Sequence, residues 1–224
     1  MKAILRSGYL ALAIMALAVP ANADPFEDGF LAFSTEDYTT AMRLWQPLAV
    51  KGHVGAQYRL GLLYGLGNGV PQNDAEALKW LRKPADQGLA KAQVTVGLFY
   101  WDGAGVLKDY AEAVKWFRLA ADQGDADAQY RLGESYQTGS GVLKDDTEAV
   151  NWFRKAADQG HGHSQNSLGV MYTKGWGVPL DRVLAYLWFN IAAAQDNGVA
   201  QKNRGSVAKL MTPDQIAEAQ RLAR

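Results

Sequence analysis

The chain of 224 residues contains no cysteine. Disulfide frameworks, thiolate zinc sites and cysteine nucleophiles are therefore excluded together. The chain also lacks an excess of either charge, because its 23 lysines and arginines are matched by 23 aspartates and glutamates. A nucleic-acid-binding domain usually carries a basic excess, so this balance argues against that class of protein. With 48% hydrophobic and 21% charged residues, the composition is that of a globular protein.

No apolar run in the sequence reaches the roughly 20 residues that a comfortable membrane span needs. The apolar stretch from Tyr9 to Val19 follows Lys2 and Arg6 and is followed by Ala21-Asn22-Ala23. This order predicts a signal peptide over residues 1–23 that is cleaved before Asp24, with an uncleaved anchor as the alternative. The mature chain then has 21 basic and 23 acidic residues, a net charge of −2. We expect an exported protein, in the bacterial periplasm or secreted, with no membrane insertion after cleavage.

An internal repeat of 36 residues dominates the rest of the sequence. Four segments, aligned on Ala56, Ala92, Ala128 and Ser164, carry the same residue in several columns. These columns are Gln57, Gln93, Gln129 and Gln165; Gly61, Gly97, Gly133 and Gly169; Tyr64, Tyr100, Tyr136 and Tyr172; Ala77, Ala113, Ala149 and Ala185; and Trp80, Trp116, Trp152 and Trp188. A G-x-G-V motif also occurs in every segment. So many coincident columns without a gap exclude chance.

Each repeat predicts a pair of helices. In the first helix, Leu60, Gly61 and Tyr64 lie at helical spacing and form a buried stripe. Glycine inside a helix costs about 1 kcal/mol, so four glycines in the Gly61 column indicate a close helix contact. The G-x-G loop ends this helix, because glycine adopts the left-handed conformation without strain. The second helix begins at an N-cap residue with glutamate three positions later, as in Asn73 with Glu76, Asp109 with Glu112, and Asp145 with Glu148. Pro84, inside a second helix, predicts a kink.

These motifs resemble the Sel1-like repeat family, a branch of the tetratricopeptide superfamily. The resemblance is carried by Gly103-Ala104-Gly105-Val106, Glu112-Ala113, Trp116-Phe117, Ala120-Ala121 and Gly124, and by their counterparts between Ala56 and Ala200. It implies an all-α, right-handed superhelical solenoid of antiparallel helix pairs. It also implies a concave face lined by the first helix of each unit, and adaptor or scaffold work at the bacterial envelope.

The two ends of the repeat array are atypical, as the ends of a solenoid are expected to be. We predict a truncated N-terminal helix-pair unit over residues 24–55, four repeats over 56–199 and C-terminal capping helices over 200–224. The truncated unit has no G-x-G-V motif, and its interhelix loop is reduced to Ser34-Thr35-Glu36-Asp37. Near the other end, Thr212-Pro213-Asp214-Gln215 has the residues of a helix start.

Several short motifs are weak signals for chemistry. The G-x-G loops lie between helices rather than after a strand and lack a G-K-[ST] ending, so a structural turn is preferred over a phosphate site. His161-Gly162-His163 is a candidate metal pair, but it has no third ligand nearby in sequence, and we predict neither metal nor cofactor. Ser206-Val207-Ala208-Lys209 matches S-x-x-K without its companion motifs. Asp102 and Glu134 are candidate paired carboxylates, for which solvated groove charges are the preferred interpretation.

Two of the seven tryptophans lie outside the apolar columns. Trp101 and Trp176 stand where the other repeats have small or polar residues, so each is either a binding residue or a local gap-filler. From the resemblance, the partner is expected to contact the first helices at positions beside the Leu-Gly pair, including Leu63. The predicted partner-binding residues are Tyr58, Leu62, Leu98, Trp101, Tyr130, Glu134, Asn166 and Trp176.

The sequence therefore favours a non-enzymatic, exported module that binds a protein or peptide on a concave face. Stacked repeats create such an extended face without a catalytic pocket. The alternative is an envelope hydrolase acting on cell-wall or β-lactam chemistry, supported by the serine–lysine and carboxylate motifs and by the activity described for some cysteine-rich relatives. The partner's identity and the oligomeric state do not follow from the sequence.

Overall fold

The computed structural model describes residues 24–195 and 197–223, so the signal peptide predicted over 1–23 lies outside the described residues. All regular secondary structure in the described part is helical. The twelve helices of this part are α1 Pro25–Ser34, α2 Tyr38–Val50, α3 Val54–Leu66, α4 Asp74–Asp86, α5 Ala90–Asp102, α6 Tyr110–Ala121, α7 Ala126–Thr138, α8 Asp146–Asp158, α9 Gly162–Lys174, α10 Arg182–Ala193, α11 Gly198–Ala208 and α12 Pro213–Leu222. Each helix from α1 to α10 packs against the next, and α12 packs on α10. The predicted all-α solenoid of helix pairs is confirmed.

Helix starts follow the predicted caps. The side chain of Asp109 accepts a hydrogen bond of 2.9 Å from the backbone N–H of Glu112, and Asn73 and Asp145 cap α4 and α8 in the same way. The glutamates three positions after Asn73 and Asp109 pair with a lysine of their own helix rather than with the N-cap backbone. Glu112 contacts Lys115 at 2.8 Å, and Glu76 contacts Lys79 at 3.2 Å. The full reciprocal capping box forms at α12, between Thr212 and Gln215. No helix among the described residues is long and apolar enough to span a membrane.

The glycine column accommodates one large side chain per repeat, Leu81 in the first and a phenylalanine ring in each of the other three. A Cβ at Gly133 would lie 2.5 Å from the Phe153 ring, and one at Gly97 would lie 2.5 Å from Cε1 of Phe117. Because real Cβ atoms do not approach this closely, the column must be glycine for α7 to pack on α8. Helix α4 continues through Pro84, whose side chain is buried.

The second glycine of each loop has a separate role that joins neighbouring repeats. Gly105 has a φ of +65°, and a Cβ there would overlap the backbone of Asp74, the first residue of α4 in the preceding repeat. The loop therefore rests directly on the N-terminus of an earlier second helix. Both glycines of the motif are explained by packing and turn geometry.

Two side-chain ladders also join successive repeats. In the first, a buried glutamine of each first helix donates to a carbonyl of the preceding unit and accepts from a glutamine 30 residues later. Its pairs are Gln57–Gln87, Gln93–Gln123, Gln129–Gln159 and Gln165–Gln195. In the second ladder, an arginine donates to the tyrosine hydroxyl of the next repeat, as Arg118 does to Tyr136 at 2.6 Å.

Candidate partner-binding groove

The first helices of the repeats carry two adjoining depressions on one face, which we call the groove face. They have volumes of 270 and 260 Å³ and share Val94, Leu98 and Asp127. Val94 and Leu98 are half-buried and pack on the hydrophobic core below, so they form an apolar floor. Tyr58 of α3 lines the first depression and Tyr130 of α7 lines the second. The two depressions therefore form one site, which we call the central depression, built from successive repeats.

Polar and charged groups surround this apolar floor. Lys91, Thr95, Asp125 and Asp127 line the first depression, and Arg131, His161 and His163 line the second. Asp125 serves as the N-cap of α7 and accepts from the backbone N–H of Ala128 at 2.9 Å. An apolar floor with a polar rim is the usual anatomy of a protein-binding surface.

Tyr130 and Glu134 are held together one helical turn apart. The Tyr130 hydroxyl donates to Oε1 of Glu134 at 2.8 Å, and Arg131 donates to Oε2 at 2.9 Å. Burial raises the pKa of Tyr130, and the hydrogen bond to Glu134 adds to the shift, so the phenol stays protonated. Glu134 is thus engaged within its own helix and positions the Tyr130 ring.

His161 caps the N-terminus of α9 as a neutral imidazole. Its Nδ1 accepts from the backbone N–H of Ser164 at 3.2 Å, which leaves the proton on Nε2, 3.2 Å from Asp127 Oδ1. Burial lowers the pKa of His161, the charges of His163 and Arg131 lower it further, and Asp127 opposes the shift. The candidate metal residue therefore has a capping role, in which Nδ1 is already occupied.

Three rings form an aromatic cluster on the wall of the second depression. The ring centroids of Tyr130 and His161 are 5.0 Å apart, those of Tyr130 and His163 are 5.9 Å apart, and those of the two histidines are 5.8 Å apart. Phe153 lies beside Tyr130 with a centroid distance of 5.9 Å. Over residues 24–195 and 197–223, no three or more histidines, aspartates and glutamates are grouped to hold a metal ion.

A smaller pocket of 170 Å³, which we call the terminal pocket, lies farther along the same face between α9, α10 and α11. Its apolar residues are Val170, Phe189, Val207 and Leu210, and its polar residues are Thr173, Lys174, Asn203 and Ser206. The side-chain amide of Asn203 in α11 donates to the side chain of Asn166 in α9 at 3.0 Å, which joins these two helices.

The predicted binding residues fall into two groups. Tyr58, Leu98 and Tyr130 line the central depression, with Glu134 bonded to Tyr130 beside it. Asn166 lies toward the terminal pocket, through its bond to Asn203. The assignment of Leu63 to the groove is wrong, because this side chain is 0% exposed and belongs to the core.

The remaining predicted residues are not brought into the central depression. Leu62 is half-buried against the core beneath the first repeats. The Trp101 ring packs edge-on against Tyr110 with a centroid distance of 4.7 Å, so it has a packing partner that the repeat columns did not indicate. Trp176 is 42% exposed on the last G-x-G loop, with the Lys144 ammonium 6.0 Å from its ring. The assignment of these residues to partner binding stays a prediction.

Sequence reasoning missed most of the polar rim. Lys91, Asp127 and His163 occupy one column, near the start of successive first helices, and Arg131 lies one position after Tyr130. The residue type differs between the repeats in this column, so a search for identical residues does not detect it. The signal available was helical phase, since residues three and four apart share a face.

The motifs considered for catalysis have ordinary structural partners. The Ser206 hydroxyl donates to the Lys202 carbonyl at 3.0 Å within α11. Both oxygens of Glu134 accept hydrogen bonds from its own helix. Both groups are therefore engaged in hydrogen bonds within their own helices.

The sequence profile of the Sel1 repeat matches residues 54–89, 90–125, 126–161 and 162–197. The four matches follow one another without a gap and cover more than half of the chain. The chain belongs to the Sel1 repeat family. Sel1 repeats are a type of protein-interaction module.

Two solved structures of Sel1 repeat proteins are similar to this chain. One is c5321, a protective antigen present in uropathogenic Escherichia coli strains, with 39% identity and a TM-score of 0.79 over 81% of this chain and 40% of that protein. The other is a Sel1 repeat protein from Oxalobacter formigenes, with 34% identity and a TM-score of 0.75 over 81% of this chain and 74% of that protein.

Two curated relatives share a shorter stretch of sequence. They are exopolysaccharide production negative regulators from Rhizobium meliloti and Rhizobium leguminosarum bv. viciae, each 36% identical over 64 and 66 residues respectively. The matched stretch covers 29% and 30% of this chain, and 24% and 25% of the relatives. The chain thus matches about a quarter of the length of these relatives.

Proposed function

We propose that this Sel1 repeat protein is an exported adaptor that binds a segment of a protein partner across the central depression. The observation that carries the proposal is the apolar floor of Val94 and Leu98, bounded by Tyr58 and Tyr130 from the flanking repeats. A segment lying across three repeats would cover this floor and meet the charged rim at its edges. Aromatic residues around an apolar centre are typical of binding hot spots.

Export is the second part of this proposal and rests on the order of charged, apolar and small residues over 1–23. An exported adaptor would meet its partner in the cell envelope. The names of the two rhizobial relatives suggest one process, the control of exopolysaccharide production, in which such an adaptor could act. Intact-mass analysis of the exported protein is expected to give Asp24 as the first residue, and a full-length cytoplasmic product would contradict export.

The partner can be sought by affinity capture from an envelope extract, with the chain from Asp24 onward as bait. The test variant is Leu98→Lys, which places a charge on the apolar floor, and the matched control is Leu107→Lys. Leu107 is 89% exposed on an interhelix loop and lines neither depression. We expect Leu98→Lys to abolish capture of the partner while the control retains it. Equal capture by both variants would place the binding site elsewhere.

A folding check makes this comparison interpretable, because Leu98 also packs on the core. Leu98→Lys must keep the helical circular dichroism of the parent chain. If it does not, Lys91→Glu takes its place as the test variant. Lys91 is exposed, so this substitution changes only the charge of the rim.

A further inference from the structure

The terminal pocket differs from the central depression in both size and charge. Its volume is 170 Å³. Pockets that take drug-sized ligands have roughly 300–1,000 Å³, so this one suits a single side chain. Val170, Phe189, Val207 and Leu210 make its walls apolar, and Leu210 at the rim is 63% exposed.

Lys174 is the one charged residue that lines the terminal pocket, and no acidic residue lines it. Its ammonium group forms no ion pair with the described residues. An apolar pocket with a single cation at its edge is complementary to a ligand that joins an apolar group to one negative charge.

Asn203 adds a third point of recognition. Its amide nitrogen donates to Asn166, while its own Oδ1 accepts no hydrogen bond from the residues of the described ranges. This oxygen can accept from a peptide N–H. Val170, which lines the terminal pocket, lies in the same repeat column as Leu98 of the central depression, so both sites lie on the groove face.

We propose that the terminal pocket binds the C-terminal residue of a partner peptide, with its apolar side chain in the pocket and its carboxylate on Lys174. In this arrangement Oδ1 of Asn203 accepts the N–H of that residue. A peptide is favoured over a free carboxylic acid because the pocket lies on the same face as the central depression and because Asn203 offers an acceptor for an amide. The inference rests on the proposed function, since it fixes one end of the partner segment.

The test measures fluorescence polarisation with labelled pentapeptides of four alanines followed by Leu, Phe, Ser or Asp, each as free acid and as C-terminal amide. The protein is the chain from Asp24 to Arg224. We expect the Leu and Phe free acids to bind about tenfold more tightly than their amides and than the Ser and Asp peptides.

Two pairs of variants make the assignment specific. Lys174→Gln is expected to remove the preference for the acid over the amide, whereas Lys202→Gln, an exposed lysine of α11 that does not line the pocket, keeps it. Leu210→Asp is expected to weaken the free acid about tenfold or more by charge repulsion. Leu222→Asp, which changes an exposed leucine outside the pocket, leaves the affinity unchanged.

Three results would overturn the inference. They are equal affinity for acid and amide, an acid preference that survives Lys174→Gln, and no binding of any pentapeptide up to about 1 mM. Octanoate or phenylacetate that binds as tightly as the peptides would show a site for free acids instead. Partner capture that depends on Leu98 but not on Lys174 would leave the proposed function standing while this inference fails. A preference for the Leu and Phe free acids without any Leu98-dependent capture would support the terminal pocket while the proposed function fails.

Discussion

The side chain of Gln123 donates to that of Gln93 at 2.7 Å, and Gln93 in turn donates to the carbonyl oxygen of Ala85 at 3.1 Å. The chain of hydrogen bonds thus connects the ends of two successive second helices through a glutamine of the first helix between them. Gln93 is 4% exposed, so its bond to Ala85 is shielded from water, whereas its bond from the exposed Gln123 is only partly buried. The same relay recurs at each of the four repeats.

Gln93→Met tests the strength of this relay. The substitution preserves volume but removes two hydrogen bonds, and we expect the free energy of unfolding to fall by about 1–2 kcal/mol. Urea denaturation of Gln93→Met, Gln123→Ala and the double variant measures the coupling. We expect Gln123→Ala to lower the free energy of unfolding by less than Gln93→Met does. In a chain that already carries Gln93→Met, we expect Gln123→Ala to lower it almost no further. Additive effects would mean that the two amides do not interact in solution.

Gly133→Leu tests the aromatic seat of the third repeat. A side chain at this position meets the Phe153 ring at 2.5 Å, so α7 and α8 must separate. Overpacking of this kind typically lowers the free energy of unfolding by about 1–3 kcal/mol, and we expect at least that decrease here, measured by thermal or urea denaturation. The control is Gly205→Leu in α11, where a Cβ has no neighbour within 4 Å and helix propensity improves. A melting temperature unchanged by Gly133→Leu would contradict the packing.

His161→Asn tests the neutral imidazole cap. Burial lowers the pKa of His161, so its contribution to stability is present above the unfolded value of about pH 6.5 and is lost as the pH falls through the folded value. Asparagine caps equally well and does not titrate. Between about pH 7.5 and pH 5, we expect the wild type to lose about 1 kcal/mol more than His161→Asn.

The control for this titration is His163→Asn, which removes the neighbouring exposed imidazole and leaves the cap intact. Asp127, Arg131, His163 and Tyr130 surround His161, and all remain in the His161→Asn variant. Identical pH profiles for wild type and His161→Asn would show that the cap does not titrate in this range.

Trp101→Ala separates a binding role from a packing role. If Trp101 anchors the partner, its removal is expected to weaken binding by about 2 kcal/mol, or about thirty-fold. Its half-buried ring also contacts Tyr110 and Phe117, so we expect a modest loss of stability as well. The comparison is Trp116→Ala, which removes a 7% exposed core side chain at about 3–5 kcal/mol. Equal destabilisation by the two variants would assign Trp101 to the core.

Repeated residues allowed the helix pairs, the turns and the buried stripe to be predicted from sequence. The Gly61 column correctly predicted the close helix contact because the same contact recurs in every repeat. Trp101 was harder to interpret, since its partner Tyr110 occurs in one repeat and leaves no column.

The groove shows the same division between repeated and unrepeated residues. Tyr58, Leu98 and Tyr130 could be placed on one face from helical phase and the family resemblance. The terminal pocket could not be predicted, although α11 begins at Gly198, 36 residues after the start of α9. No G-x-G loop follows α11, so the way Val207 and Leu210 reach the pocket has no counterpart in the four repeats. Its shape depends on where this last helix docks.

Helix α4 is held at both ends by residues that come later in the chain. The Gly105 loop rests on its first residue, Asp74, and Gln93 bonds the carbonyl of Ala85 near its end. A chain that emerges N-terminus first, from a ribosome or through a translocation pore, therefore cannot make all the contacts of this helix until Gly105 has followed. During such emergence the contacts between repeats become available in chain order, and those of α12 with α10 come last.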